Sequence, residues 1–298
     1  MSNSQEAFLL IALTGLLWAG VGGFYSRVAR KGHRVLLFSL IVSLFVSCFS
    51  WAACDWDALL AGAVPKAPIF VPIMLMTGIA SQAGMILMMH SMRLGRQAAA
   101  WTISQSAMVV PFLAGVLIWQ ERMSAGNLLG VVILLVSIVL FGQRVHEEGK
   151  PPAKQTWFVL ALLAFAVSGL GATLSTAPSH WHGWQDTARL RVPLLNTAAL
   201  LAFGTFGVRE AMKKMPSKDE WLTAILCALT VFAGQNTFYA GMDRMALVQK
   251  VSLTYPLSIS LCIMAFAVYT RLHLGEKLGR LGAMGLTLGV IGILLLGI

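Results

Sequence analysis

The chain has 298 residues, 57% hydrophobic and 11% charged, with a mean hydropathy of +0.76 and a formal net charge of +10. Soluble domains carry about 25% charged residues, so this composition excludes an ordinary soluble globular protein and points to a polytopic membrane protein. In such a chain the basic excess reports orientation in the bilayer and not a nucleic-acid partner.

A spanning helix needs ~20 apolar residues. Long apolar runs, each bounded by charge or by Pro/Gly clusters, predict ten spans at 8–28, 35–54, 69–92, 97–119, 126–142, 157–177, 190–208, 221–242, 249–270 and 278–298. The opening MSNSQEAF carries no basic stretch, so the first run reads as a retained span and not a cleaved signal. The start of the seventh is crowded by Asp186, Arg189 and Arg191. The one clearly polar stretch, QRVHEEGKPPAKQT (143–156), reads as a joint between a first unit (1–142) and a second (157–298). Cys48, Cys54, Cys227 and Cys262 show no metal-like spacing and read as small apolar residues.

Basic residues fix the expected orientation. Of 22 Lys and Arg, 16 fall in loops after odd-numbered spans and 6, including Arg191, in loops after even-numbered ones. The odd loops are then cytoplasmic and both termini extracytoplasmic. Each unit holds five spans, an odd number, so the two must cross in opposite senses. That is an inverted repeat, a plan common among secondary transporters.

Internal similarity supports a duplication. Glu121 to Gly142 aligns without a gap to Glu276 to Gly297, matching Glu121/Glu276, Gly130/Gly285 and Gly142/Gly297. WAGVGGFYS (18–26) matches VSGLGATLS (167–175), and SQAGMILMMH (81–90) matches GQNTFYAGMD (234–243), pairing Gln82 with Gln235 and His90 with Asp243.

Polar groups inside hydrocarbon are costly unless paired or facing water, so they mark candidate sites. Gln82, Gln235 and Asn236 carry carboxamides with both donors and acceptors, suited to sugar hydroxyls or to the ends of an amino acid; their alternative role is to join helices. Trp18 and Trp101 lie deep in spans 1 and 4. Gln105 shares a face with Trp101, and Tyr239 shares one with Gln235. Tyr255 precedes Pro256 in span 9. Aromatic walls with amides suit a sugar. Trp51, Trp56, Trp119, Trp157, Trp181, Trp184 and Trp221 sit near span ends, as interfacial belts do. Pro111 and Pro256 are candidate kinks, and the glycines of spans 1, 5, 6 and 10 allow close helix approach.

For coupling, His90 and Asp243 are the candidates, Asp243 competing with a loop salt bridge to Arg244. Glu121 and Glu276 are expected to cap spans 5 and 10. No deeply buried acid stands out as a proton relay, so facilitated diffusion or exchange stays open. HExxH and Walker A motifs are absent, and HWHGWQD (180–186) lacks a clear third metal ligand. No catalytic residue, metal or cofactor is expected; a membrane-embedded enzyme or lipid-handling protein is the rival class.

The ten spans in two halves, the Trp- and Gly-rich first helix (LLWAGVGG) and the acid-led closing helices (WQERMSAGNLLG, LGEKLGRLG) resemble the drug/metabolite transporter superfamily over nearly the whole chain. In the ten-span metabolite-exporter (EamA-like) branch a proline usually stands about 13 residues before each closing acid. Here Pro111 lies 10 residues before Glu121 and Pro256 lies 20 before Glu276. MMHSMRLGRQAAA (88–100) and QNTFYAGMDRMALVQ (235–249) are similar to helix ends of the sugar-porter branch that includes the rhamnose–proton symporter.

The resemblance implies an all-α integral membrane protein of the bacterial inner membrane, a monomer or homodimer. It implies alternating access for a small polar solute, a sugar before an amino acid, metabolite or drug, with a coupling proton or cation left open. A central cavity is expected between spans 1, 3, 4, 6, 8 and 9, with spans 5 and 10 as peripheral supports.

Overall fold

In the computed structural model, residues 3–57, 67–94, 97–142, 156–181, 188–274 and 280–296 are described. They form eleven α-helices and, among the described residues, no strand. In chain order these are α1 (Asn3–Lys31), α2 (Val35–Ala52), α3 (Ala67–Leu94), α4 (Gln97–Gln105), α5 (Val109–Leu117), α6 (Ala125–Gly142), α7 (Thr156–Thr176), α8 (Ala188–Lys213), α9 (Lys218–Leu247), α10 (Thr254–Leu274) and α11 (Arg280–Leu296). Seven of them (α1, α2, α3, α7, α8, α9 and α10) are long and apolar enough to cross a membrane. The apolar stretches Ile103–Leu117, Ala125–Ser137 and Ala283–Leu295 are shorter. Large apolar side chains face outward along these helices, among them Leu9, Leu16, Leu163, Leu170, Leu201 and Leu294. Water would not tolerate so extensive an exposed apolar surface; lipid would, and the chain is a membrane-embedded helical protein.

Polar side chains fix the helix ends. Ser217 opens α9 with a capping box: its hydroxyl accepts from the Glu220 backbone N–H, and the Glu220 carboxylate accepts from the Ser217 N–H. Arg34, just before α2, closes α8 by donating to the carbonyls of Glu210 (2.8 Å) and Lys214 (2.6 Å), and also pairs with Glu220. One side chain thereby ties the ends of three helices. At the other end of the bundle, α6 is opened by Ser124 and Asn127, which exchange side chain-to-backbone hydrogen bonds at 3.0 and 3.3 Å.

Glu121 therefore does not cap α6, contrary to the sequence expectation. Its carboxylate accepts from the Ser252 backbone N–H (3.1 Å) and hydroxyl (2.5 Å), and meets His180 Nε2 at 2.7 Å. It caps the short 3-10 turn Val251–Leu253 that leads into α10. Its repeat partner Glu276 lies outside the described residues, as do the linker 143–155, Trp184 and Asp186.

The two prolines also act differently. Pro111 stands in the first turn of α5, just past the 3-10 turn Ser106–Met108 that interrupts the fourth apolar segment. Pro256 stands in the first turn of α10, where a missing N–H costs nothing, so it starts a helix and does not kink one.

The helices pair in a pattern that repeats when the two halves are exchanged. α1 packs on α9 as α7 packs on α3; α1 packs on α10 as α7 packs on α4; α2 packs on α9 as α8 packs on α3. The pairs α2–α8 and α6–α11 map onto themselves. α1 and α9 run antiparallel, pinned by Glu6–Arg244 at one end and Arg27–Asp219 at the other. Close backbone approach makes some contacts: a Cβ at Gly78 of α3 would collide with the Leu195 carbonyl oxygen of α8. At α6–α11, Ser137 donates to the Gly285 carbonyl at 2.6 Å, and a Cβ at Gly292 would stand 3.1 Å from the Gly130 carbonyl. In the internal sequence alignment Ser137 matches Gly292 and Gly130 matches Gly285.

Candidate functional site

The helices converge on a cavity of about 150 Å³. An engineered apolar cavity of about that volume holds a single six-membered ring. α1 lines it with Trp18, Val21 and Tyr25, spaced to share one helical face. α4 contributes Trp101, Ser104 and Gln105, and α9 contributes Val231, Gln235, Phe238 and Tyr239. Tyr255 and Ile259 come from α10, and α3, α7 and α8 close the rest with small residues, methionines and Leu195. Among the described residues that line it, none is charged.

The aromatic wall is a connected set. The rings of Trp18 and Phe238 lie 4.7 Å apart, as do those of Phe238 and Tyr255. Trp101 packs on Phe266 at 5.2 Å and edge-on to Tyr25 at 6.3 Å. Two of the phenols are held: Tyr25 Oη donates to Met85 Sδ, and Tyr255 Oη lies 2.7 Å from Ser175 Oγ.

Against this wall stand polar atoms with capacity to spare. Trp101 Nε1 and Ser104 Oγ are buried without a protein hydrogen-bond partner. They belong to residues only 2% and 3% exposed, one helical turn apart. A buried donor left unpaired costs about 1–3 kcal/mol, a cost that a bound acceptor would remove. Gln235 Oε1 is already engaged by Asn196 Nδ2 at 2.7 Å, while the same amide also donates to the Val192 carbonyl. That engages the carbonyl of Gln235, a residue that lines both this cavity and a smaller adjoining hollow.

The other sequence candidates divide. Trp18, Trp101, Gln105, Gln235, Tyr239 and Tyr255 line the cavity. Gln82 does not; it lines a smaller adjoining hollow of about 30 Å³ shared with Asn196 and Gln235. Asn236 lines neither space and donates to its own helix at the Phe232 carbonyl, 2.8 Å away. His90 lines neither.

Asp243 is not in a loop pair with Arg244. Its carboxylate, 1% exposed, meets the fully buried Arg191 at 2.7 Å, while Arg244 pairs with Glu6. Arg191 also donates to Ser179 Oγ and lies 5.4 Å over the Tyr239 ring, so the ion pair stands directly behind an aromatic side chain of the cavity. Trp119 stacks on His180 at 4.0 Å, near the Glu121–Ser252 contact. Cys48 is exposed on α2 and Cys54 half-buried, whereas Cys227 and Cys262 are in the core.

Sequence reasoning missed Arg191, Asn196, Ser104 and Tyr25. Arg191 and Asn196 had a signal: two polar residues in register with an apolar run, RVPLLNTAALL. Counted with the loops, Arg191 was removed from the membrane where the fold buries it.

No known family matches the sequence, and no curated protein matches it. Among solved structures 18 chains match. One, described as "Crystal structure of protein", superposes with a TM-score of 0.66 at 18% identity, covering 98% of this chain and 96% of that one. At that identity the likeness shows the fold alone, and it holds from end to end.

Proposed function

We propose that this protein is a secondary carrier that moves a small uncharged polar solute, a sugar foremost, by alternating access. The observation that carries the reading is the cavity itself. It lies where helices of both halves meet, joins tilted and edge-on aromatic rings to unpaired buried donors at Trp101 and Ser104, and presents no charged side chain among the described residues. Rings and hydroxyl acceptors suit a sugar; a zwitterion would ask for charged partners that this lining lacks.

The architecture we infer is ten spans in two inverted five-helix repeats, 1–142 and 157–298, in the bacterial inner membrane with both termini extracytoplasmic. The exchange pattern of helix pairs and the α6–α11 contact support it. The α4–α5 segment, α6 and α11 supply the three remaining spans. At 1.5 Å per residue, 17 or 18 helical residues reach about 26 Å, close to the ~30 Å hydrocarbon core. The pattern also agrees with the resemblance to the drug/metabolite transporters. In this reading Asp243, held by Arg191, is a structural ion and not a free proton carrier.

The test is a thermal-shift screen of detergent-purified protein against monosaccharides, amino acids, nucleosides and lipophilic cations. A ligand that binds only the folded state raises its stability by mass action. A concentration-dependent shift with one sugar group that Trp101→Phe abolishes would support the reading. Shifts confined to amino acids or cations would overturn the sugar assignment.

A further inference from the structure

We propose a second binding site, for an anionic phospholipid, in a groove between α1 and α10 on the lipid-facing side of the bundle. The exposed stripe of α1 runs Leu9, Leu13, Leu16, Gly20 in steps of three and four residues, one continuous helical face. At Gly20 and Gly23 the face loses its side chains, and a hollow of about 450 Å³ opens. Phe24 and the ring of Tyr269 wall it; a Cβ at Gly23 would stand 3.5 Å from that ring. The next positions on the same face are Arg27, Arg30 and Lys31, which rim the hollow where the helix leaves its apolar run.

The groove thus reads, from one end to the other, as leucine surface, glycine dent, aromatic wall and three cations. That is the order of an acyl chain, its glycerol and its headgroup. The rim keeps charge to spare: Arg27 and Lys31 share one carboxylate, Asp219, while Arg30 is exposed. Arg27 Nε is in addition a buried donor without a hydrogen-bond partner. Phosphate oxygens satisfy such a group and the excess charge together, and a cation near a membrane surface contributes about five-fold in affinity for anionic lipid. Among the described residues the central cavity has no charged lining, and it lies between the helices, so the two sites differ in chemistry and in access.

The experiment is native mass spectrometry of delipidated protein titrated with phosphatidylglycerol, phosphatidylcholine or inorganic phosphate. Phosphatidylglycerol is expected to bind at least ten-fold more tightly than phosphatidylcholine. Arg30→Gln should weaken it about five-fold. Gly23→Leu, which fills the groove without touching a charge, should weaken it by a similar or larger factor, with a wild-type thermal transition confirming that each variant is folded. Equal binding of the two lipids, or unchanged affinity in Gly23→Leu, overturns the site. Competition by inorganic phosphate at concentrations that occupy the protein without lipid would make it a free-anion site and overturn the lipid assignment.

Discussion

Removing either partner of the Arg191–Asp243 pair should strongly destabilise the protein, whereas replacing both together should not. At 2.7 Å and an effective dielectric constant of about 20, the attraction is about 6 kcal/mol. Desolvation of two side chains at 0% and 1% exposure consumes most of that gain, so the intact pair is close to neutral. A single substitution keeps one buried charge and removes its counter-ion, which costs about 3–5 kcal/mol. Asp243→Asn and Arg191→Met are each expected to lose that much in reversible unfolding from mixed micelles. The double variant should lose clearly less than either single variant, because no charge then remains to be stranded. Single variants within 1 kcal/mol of wild type, or a double variant whose loss equals the sum of the singles, would refute the claim that the pair is buried and mutually dependent. That result would also return Asp243 to the list of free groups available for coupling.

Other consequences of the structure are open to measurement. Gln235→Ala removes an amide that lines the cavity and leaves Asn196 only its bond to the Val192 carbonyl; solute affinity should fall about five- to ten-fold in equilibrium binding, and unchanged affinity would remove Gln235 from the site. Glu121→Gln takes the charge from hydrogen bonds that join the end of α5 to the start of α10, with an expected loss of about 2 kcal/mol. Unaltered stability in denaturant titration would contradict its capping role. Gly78→Val must push α3 off the backbone of α8 and should cost at least 1–3 kcal/mol as overpacking, read as lower yield and a lower transition temperature. Gly32, at positive φ with open space around its missing Cβ, should tolerate substitution by Asn with little change in the same assays.

The sequence disclosed most of the helical frame because apolar runs and their polar boundaries carry their own period and length. The interruption of the fourth segment was foreshadowed by Pro111. The central cavity was legible through aromatic and amide residues lying deep in apolar runs: Trp18, Trp101, Gln105 and Gln235 were found that way. Partnership was not legible. Arg191 and Asp243 are 52 residues apart, as Asn196 and Gln235 are 39 apart, and nothing local in the chain states that they meet. Arg191 was misplaced for a physical reason. A cation at the start of an apolar run has the same sequence signature whether it snorkels to water or turns inward to a carboxylate. Glu121 was misassigned similarly. A carboxylate just before a helix is most economically a cap for that helix, yet here Ser124 and Asn127 perform that task and free Glu121 to reach across to Ser252. Gln82 pairs with Gln235 in the internal alignment; both line the adjoining hollow, and of the two Gln235 alone lines the cavity, a difference that an alignment does not encode.

Counterflow in proteoliposomes is the most direct test of the account. Vesicles preloaded with an unlabelled sugar from the group that stabilises the protein should accumulate the labelled sugar transiently, several-fold above its equilibrium level. Reconstituted Gln235→Ala and Trp101→Phe proteins should show little of that overshoot. Overshoot requires one cavity to be reached alternately from both sides, as a carrier demands. Simple equilibration without overshoot by folded protein, or full overshoot in both variants, would contradict alternating access through this cavity.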